Sequence, residues 1–407
     1  MDDMKRAGPL TGLRVLEIGH FIAAPFGTRL LGDLGADVIK IEPPGGDPVR
    51  QWGTHIDGNS PWWSQHGRNK RCMTLNLKHP KAKDVVLGLI AKSDAVVENF
   101  RPGQLARLGL GPEVLREARA DLVIAHVSGY GQDGPYRDKA AFGVIGESVG
   151  GLRHLSDHAP GMSNLPPVRV GVSIGDSIAG LYAAFGVMAA LWQRDRQGGD
   201  ARARSIDVAL SESVLSMMEG MLPEYGVLGE IKQPTGSRIA TAAPTSGYLA
   251  KDRKWVLIAG NSDPLFTRLS RVMGQSALPQ DPRFQDNRSR VANVEALDAI
   301  IGDWTVQYDA DALLEILADA DIPSSLVYTA ENIAKDPQYR HRNMVQDVED
   351  PLFGKVMQAG VVPGILEDPG RVRWPGPKIG AHNEEVLSGL LGMTAAEIQD
   401  LREHEVI

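Results

Sequence analysis

Apolar residues in the first third of the chain fall in short, dense runs, separated by longer stretches with a helical period. The run over 13–19 (Leu13-Arg-Val-Leu-Glu-Ile-Gly19) predicts a strand, and 24–34 predicts a helix that ends at Gly35. A second strand spans 37–42 and is closed by Pro43-Pro-Gly-Gly46. Beyond an irregular loop containing Trp52, Trp62 and Trp63 come a strand over 71–77 and a helix over 80–92. Two more strands are expected at 95–100 and 122–127. Strands alternating with helices of this length imply an α/β fold: a parallel, Rossmann-like sheet with helices on both faces.

The pattern changes at 168–197. Val168, Val170 and Val172 alternate like the end of a strand, and an apolar helix is expected from Ser177 to about 197. Between them stands Asp176, in the place of an N-cap, where its carboxylate would face free helix N–H groups and the dipole would favour its charge. Gly171, Gly175 and Gly180 leave room for another molecule to approach the backbone. Two chemistries compete here. A carboxylate held against a thioester, with water excluded, can act as a nucleophile. Alternatively, Gly171-Val-Ser-Ile-Gly175 matches the G-x-S-x-G elbow, which would make Ser173 the nucleophile.

Downstream, a strand is expected over 205–210, then a helix to about Met221 in which Met217, Met218 and Met221 read as core filling. A Gly/Pro/Thr-rich connector covers 226–245. A smaller α+β unit follows, with strands at 247–249 and 255–260 and helices near 263–273, 293–308 and 310–320. Short strands and many prolines come after Pro323, and a last helix is expected over 394–402.

A chain of 407 residues exceeds one ordinary domain, so two are expected. The net charge of −8 argues against a nucleic-acid binder, while leaving room for a local basic pocket. One cysteine, Cys72, excludes an internal disulfide and suits a reducing cytoplasm. No leader and no uncharged apolar run of membrane-spanning length is evident, so a soluble cytoplasmic protein is expected. The turn after the first strand, Gly19-His-Phe-Ile-Ala-Ala-Pro-Phe-Gly27, lacks G-x-G-x-x-G and argues against a dinucleotide site. No metal-ligand spacing is present.

Taken as a set, several stretches resemble the class III CoA-transferases, the family of formyl-CoA and carnitine-CoA transferases. They include Leu10-Thr-Gly-Leu-Arg-Val-Leu-Glu17, Gly35-Ala-Asp-Val-Ile-Lys-Ile-Glu-Pro43, Asn69-Lys-Arg71, Leu75-Asn-Leu-Lys78 and Val97-Glu-Asn-Phe-Arg-Pro-Gly103. Gly129-Tyr-Gly131, Gly134-Pro-Tyr136, Gly175-Asp176, Asp281-Pro-Arg-Phe284, Ile322-Pro323, Asp336-Pro337 and Gly380-Ala-His382 continue the match in order.

The resemblance implies that Asp176 attacks an acyl-CoA, passing through an aspartyl anhydride and an aspartyl-CoA thioester. It implies CoA or acyl-CoA as substrate, with no permanently bound cofactor and no metal. Phe21 and Ile22 would line the pantetheine path. Leu75, Lys78, Asn99 and Phe100, with Arg101 and Arg107, would meet adenine, ribose and phosphates. Ile22, Pro43 and Ala140 replace a glutamine, an arginine and a lysine of formyl-type members, and 236–244 has no glycine run. Those departures imply a larger acid, such as a dicarboxylate.

A racemase branch carries a histidine within the segment where this chain has Ala141-Phe142-Gly143. Phe142 cannot move a proton, and inversion at an alpha carbon needs two opposed bases. His126 is out of register and reads as a core residue. Transferase therefore stands ahead of 2-methylacyl-CoA racemase, and both stand ahead of a Ser173 thioesterase. The resemblance also implies an intertwined homodimer. It places a large CoA-binding domain at 1–207 and 380–407, a small domain at 236–320, and connectors at 208–235 and 321–379.

Overall fold

In the computed structural model, which describes residues 8–197 and 204–407, six strands form one parallel sheet. They are β1 (Arg14–Ile18), β2 (Asp37–Glu42), β3 (Lys70–Thr74), β4 (Ala95–Glu98), β5 (Val123–Ser128) and β6 (Arg204–Ala209). Their order is β3-β2-β1-β4-β5-β6, with every neighbouring pair parallel. All six overlap the apolar runs read as strands in the sequence, and the sheet is the α/β architecture expected.

Alternate side chains feed opposite faces, as the pleat requires. Val15, Val38 and Val97 pack on one side, against helices Ala23–Asp33 and Ile174–Gln197. Leu16, Ile39 and Val96 pack on the other, with Leu89 of helix Ala82–Ile90 and Ile398 and Leu401 of the last helix, Ala395–Glu403. Burial on both faces explains why the strands read as nearly continuous apolar runs.

The 168–197 region departs from expectation. No strand forms there: Val168, Val170 and Val172 are 45%, 42% and 60% exposed in irregular chain. The helix begins earlier, at Ile174, so Ser173 directly precedes it and Asp176 lies in its first turn rather than at its cap. Only Gly171 has open space around it. The room at Gly175 is taken by Gly143 and Glu147, and a Cβ on Gly27 would sit 2.5 Å from the Gly180 carbonyl oxygen. The two helices thus cross in backbone contact. Helix Ile174–Gln197 is long and apolar enough to cross a bilayer, but Ala179, Ala183 and Val187 are fully buried in the core. The methionines are also not core filling: Met217 is exposed, and Met218 and Met221 are half-buried.

The chain divides into two compact units. The first comprises Met1–Leu152, Val170–Val227 and Pro337–Ile407; residues 1–7 and 198–203 of the expected large domain lie outside the described residues. It also contains the antiparallel hairpin Val345–Asp350/Gly354–Ala359. The second, Arg153–Arg169 with Leu228–Asp336, holds the antiparallel sheet Thr245–Leu249, Trp255–Ala259 and Ser324–Leu326. Helices Asp263–Val272, Val294–Thr305 and Ala310–Asp319 close a core around Val256, Phe266, Leu297 and Leu313. The expected connector 208–235 carries helices Leu210–Leu215 and Met221–Leu228, and the expected connector 321–379 is shared between the two units.

Candidate active site

The strand order reverses between β1 and β4. In an open parallel sheet, such a switch point leaves a crevice outside the carboxyl ends of the strands. A cleft lies there, lined by His20 and Phe21 after β1, Asn99 to Arg101 after β4, and Asp176. A second cleft, with Pro43, Leu75 and Lys78 on its walls, shares His20, Phe100 and Gln104 with the first.

The turn 19–21 is held at almost every polar backbone atom. Asn99 accepts from the His20 N–H at 2.9 Å and donates to the His20 carbonyl at 2.8 Å. Asp47 Oδ1 accepts from the Phe21 N–H at 3.1 Å, His66 Nε2 donates to the Phe21 carbonyl at 2.7 Å, and Lys40 Nζ donates to the Gly19 carbonyl at 2.8 Å. Phe21 sits at φ 60°, a left-handed conformation that costs a side-chain-bearing residue about 1 kcal/mol or more. Its ring packs against Trp52 at 5.4 Å and Phe142 at 6.2 Å.

Beneath this turn, on the face shared with helix Ala23–Asp33, Glu17, Lys40 and Lys70 of the sheet are buried together with Asp47 from the loop after β2. Lys40 Nζ lies 2.6 Å from Glu17 and 2.7 Å from Asp47, while Lys70 Nζ lies 2.8 Å from Glu17. Burial alone would push the Glu17 carboxyl up, but Lys40 and Lys70 pull it down to about 2. Burial opposes the charge on Lys40, yet Asp47 and Glu17 hold its pKa above the ordinary value; for Lys70 burial prevails and the pKa is lowered. Burial, reinforced by Lys70, lowers His66 to about 3, so it is a neutral donor near neutral pH. Burial also lowers His20.

Asp176 projects from the first turn of helix Ile174–Gln197 toward helix Gly143–Val149, and a Cβ on Gly143 would overlap its carboxylate. The chain reaches Gly143 through the loop 129–142, closed where Gly129 leaves no space between itself and Ala141. This loop contributes Arg137 and Lys139 to the cleft, and the Lys139 ammonium rests 3.5 Å from the centre of the Tyr136 ring. Three cations, Arg101, Arg137 and Lys139, thus share a wall with one carboxylate, Asp176, which suits an anionic ligand.

The structure brings Phe21, Asn99, Phe100, Arg101 and Asp176 to the first cleft and Leu75 and Lys78 to the second. The Ile22 side chain instead packs with Val49, Trp63 and Cys72. Arg107 stands beside the cleft: its guanidinium and that of Arg137 both approach Gly103. Ser173 is half-buried off the cleft wall, without the preceding strand that an elbow requires. His126 is buried on β5, its Nδ1 2.5 Å from Glu98, whose other oxygen accepts from the Phe100 N–H at 2.7 Å. Sequence reasoning missed His20, Arg137 and Lys139, whose charge or ring chemistry was the only local signal. Among the described residues no cluster of His, Cys, Asp and Glu could hold a metal ion.

Comparison with known proteins adds a chemical context. The sequence profile of CoA-transferase family III matches residues 10–383. The chain is 42% identical to the succinyl-CoA–D-citramalate CoA-transferase of Chloroflexus aurantiacus, covering 100% of both chains. It is 39% identical to the beta subunit of the succinyl-CoA–L-malate CoA-transferase of the same organism, again over 100% of both. A CAIB/BAIF family protein from Brucella suis superposes with a TM-score of 0.84 at 29% identity, covering 95% of this chain and 100% of that one.

Proposed function

The chain belongs to CoA-transferase family III, and we propose that it moves CoA between carboxylic acids by way of Asp176. The Asp176 carboxylate attacks the donor thioester carbonyl and expels CoA thiolate, leaving an acyl–aspartyl anhydride. Thiolate then attacks the aspartyl carbonyl, releasing the donor acid and forming aspartyl-CoA. The acceptor carboxylate and the same thiolate repeat these steps in reverse, so Asp176 returns unchanged and no proton is transferred. The observation that carries this reading is the position of Asp176 on the wall of a cationic cleft at the sheet's switch point. Arg101, Arg137 and Lys139 supply fixed positive charge for CoA phosphates and for a second carboxylate on the acid. Both relatives are named for succinyl-CoA, so we place a dicarboxylic acyl-CoA as donor and an acid of the malate or citramalate type as acceptor.

The CoA-contacting set is proposed to be Phe21, Ile22 through its backbone, Leu75, Lys78, Asn99, Phe100, Arg101 and Arg107. We further propose a cytoplasmic homodimer. The buried thiol of Cys72 suits a reducing compartment. Leu181, Phe185 and Trp192, 50%, 70% and 65% exposed, form an apolar stripe on helix Ile174–Gln197 that a second copy would cover. A second reading, epimerisation of a 2-methylacyl-CoA, draws support from His20, an imidazole in the same cleft as Asp176.

The test is incubation with a panel of acyl-CoAs and free acids, with new acyl-CoAs detected by mass. Transfer from succinyl-CoA to a hydroxydicarboxylate is the expected result. Exchange of an alpha proton with deuterated solvent, with no transfer to any acid, would favour the epimerase.

A further inference from the structure

We propose that Asp47 is a positioning residue for the transfer reaction: by holding the Phe21 amide it fixes the 19–21 turn as the wall beside which acyl-CoA meets Asp176. This rests on the CoA-transfer reading above. Asp47 does not line the cleft and so acts through Phe21.

A residue with a large side chain leaves the left-handed region unless its surroundings prevent it. Phe21, at φ 60°, is held there by bonds to both its N–H and its carbonyl. Asp47 is the pivot of that arrangement. Its Oδ1 accepts from the amides of Phe21 at 3.1 Å and Val49 at 2.9 Å, and its Oδ2 faces Lys40 Nζ at 2.7 Å. Lys40 in turn holds the Gly19 carbonyl, so one carboxylate secures the turn from two sides. Asp47 is itself set in place by Glu42, which accepts from its N–H at 2.8 Å and is gripped by Arg50 through two bonds. Releasing the Phe21 amide lets the ring leave Trp52 and Phe142. Phe142 immediately precedes Gly143, the residue against which the Asp176 carboxylate stands. Loosening the turn therefore loosens the wall next to the reacting group.

Two substitutions separate this role from mere stability. Asp47→Asn keeps an oxygen for the Phe21 and Val49 amides, whereas Asp47→Ala keeps none. Both remove the charge opposite Lys40, so both should lower the melting temperature. Asp47→Ala should raise KM for acyl-CoA and reduce kcat/KM by about tenfold or more, with Asp47→Asn recovering most of the loss. Should neither variant fold, His66→Gln and His66→Leu repeat the comparison at the Phe21 carbonyl, since glutamine can donate to it and leucine cannot. Activity that follows melting temperature alone, with no difference between the conservative and truncating variants, overturns the inference. Wild-type protein that binds no CoA in a calorimetric titration and forms no new acyl-CoA would instead overturn the transferase reading beneath it.

Discussion

Gly143 and Asp176 come from different helices, yet no carbon can be added to the first without striking the carboxylate of the second. Glycine at 143 thus fixes where the proposed nucleophile stands. A methyl there must push the carboxylate aside, and misplacing a reacting group by about 1 Å can cost on the order of 100-fold in rate. Gly143→Ala is expected to lower kcat by about that factor while KM for acyl-CoA changes little. Steady-state kinetics at varied acyl-CoA concentration would check this, and an unchanged kcat would mean that Asp176 is not held against Gly143 during turnover. At the same scale, Asn99 illustrates how a residue can serve a site indirectly. The resemblance assigns it to CoA, and its amide here spans the N–H and carbonyl of His20.

Helices Ala23–Asp33 and Ile174–Gln197 meet at Gly27 and Gly180, and this crossing brings the first turn of the longer helix to the cleft. Gly180→Ala would drive a methyl into the Ala23 carbonyl, and overpacking of this kind costs about 1–3 kcal/mol. Gly171→Ala meets open space and should cost almost nothing. Urea denaturation of the two variants would test the contrast; equal midpoints would place the helix contact elsewhere. The elements themselves were largely legible in the sequence, because strands such as Arg14–Ile18 and Asp37–Glu42 are buried on both faces and alternate with helices. A different signal, a period of two, misled at Val168, Val170 and Val172, whose alternation belongs to exposed irregular chain. In the sequence, Glu17 and Lys40 are indistinguishable from ordinary polar positions within strands. Only the register that sets Glu17 opposite Lys40 reveals a buried ion pair, and register is a long-range property. Asp176 stands out in the sequence as an acid at an expected helix start, and the family resemblance ranks it above Ser173. Its setting against Gly143 depends on packing between segments more than thirty residues apart in sequence, which periodicity does not encode.

For the whole molecule, the apolar stripe of Leu181, Phe185 and Trp192 bears on assembly. If the copy that covers it is also intertwined with the first, as the family resemblance implies, sedimentation should give a dimer that persists on dilution, because intertwined chains cannot part without unfolding. A monomer appearing as concentration falls would contradict the intertwined arrangement. The central claim, that CoA passes through Asp176, can be tested on the intact protein by trapping. Wild-type enzyme given succinyl-CoA and hydroxylamine should carry a hydroxamate at Asp176, because an aspartyl anhydride or thioester is open to attack by the amine, and Asp176→Ala should show neither the adduct nor transfer. An acyl adduct at Ser173, or full transfer activity in Asp176→Ala, would contradict it.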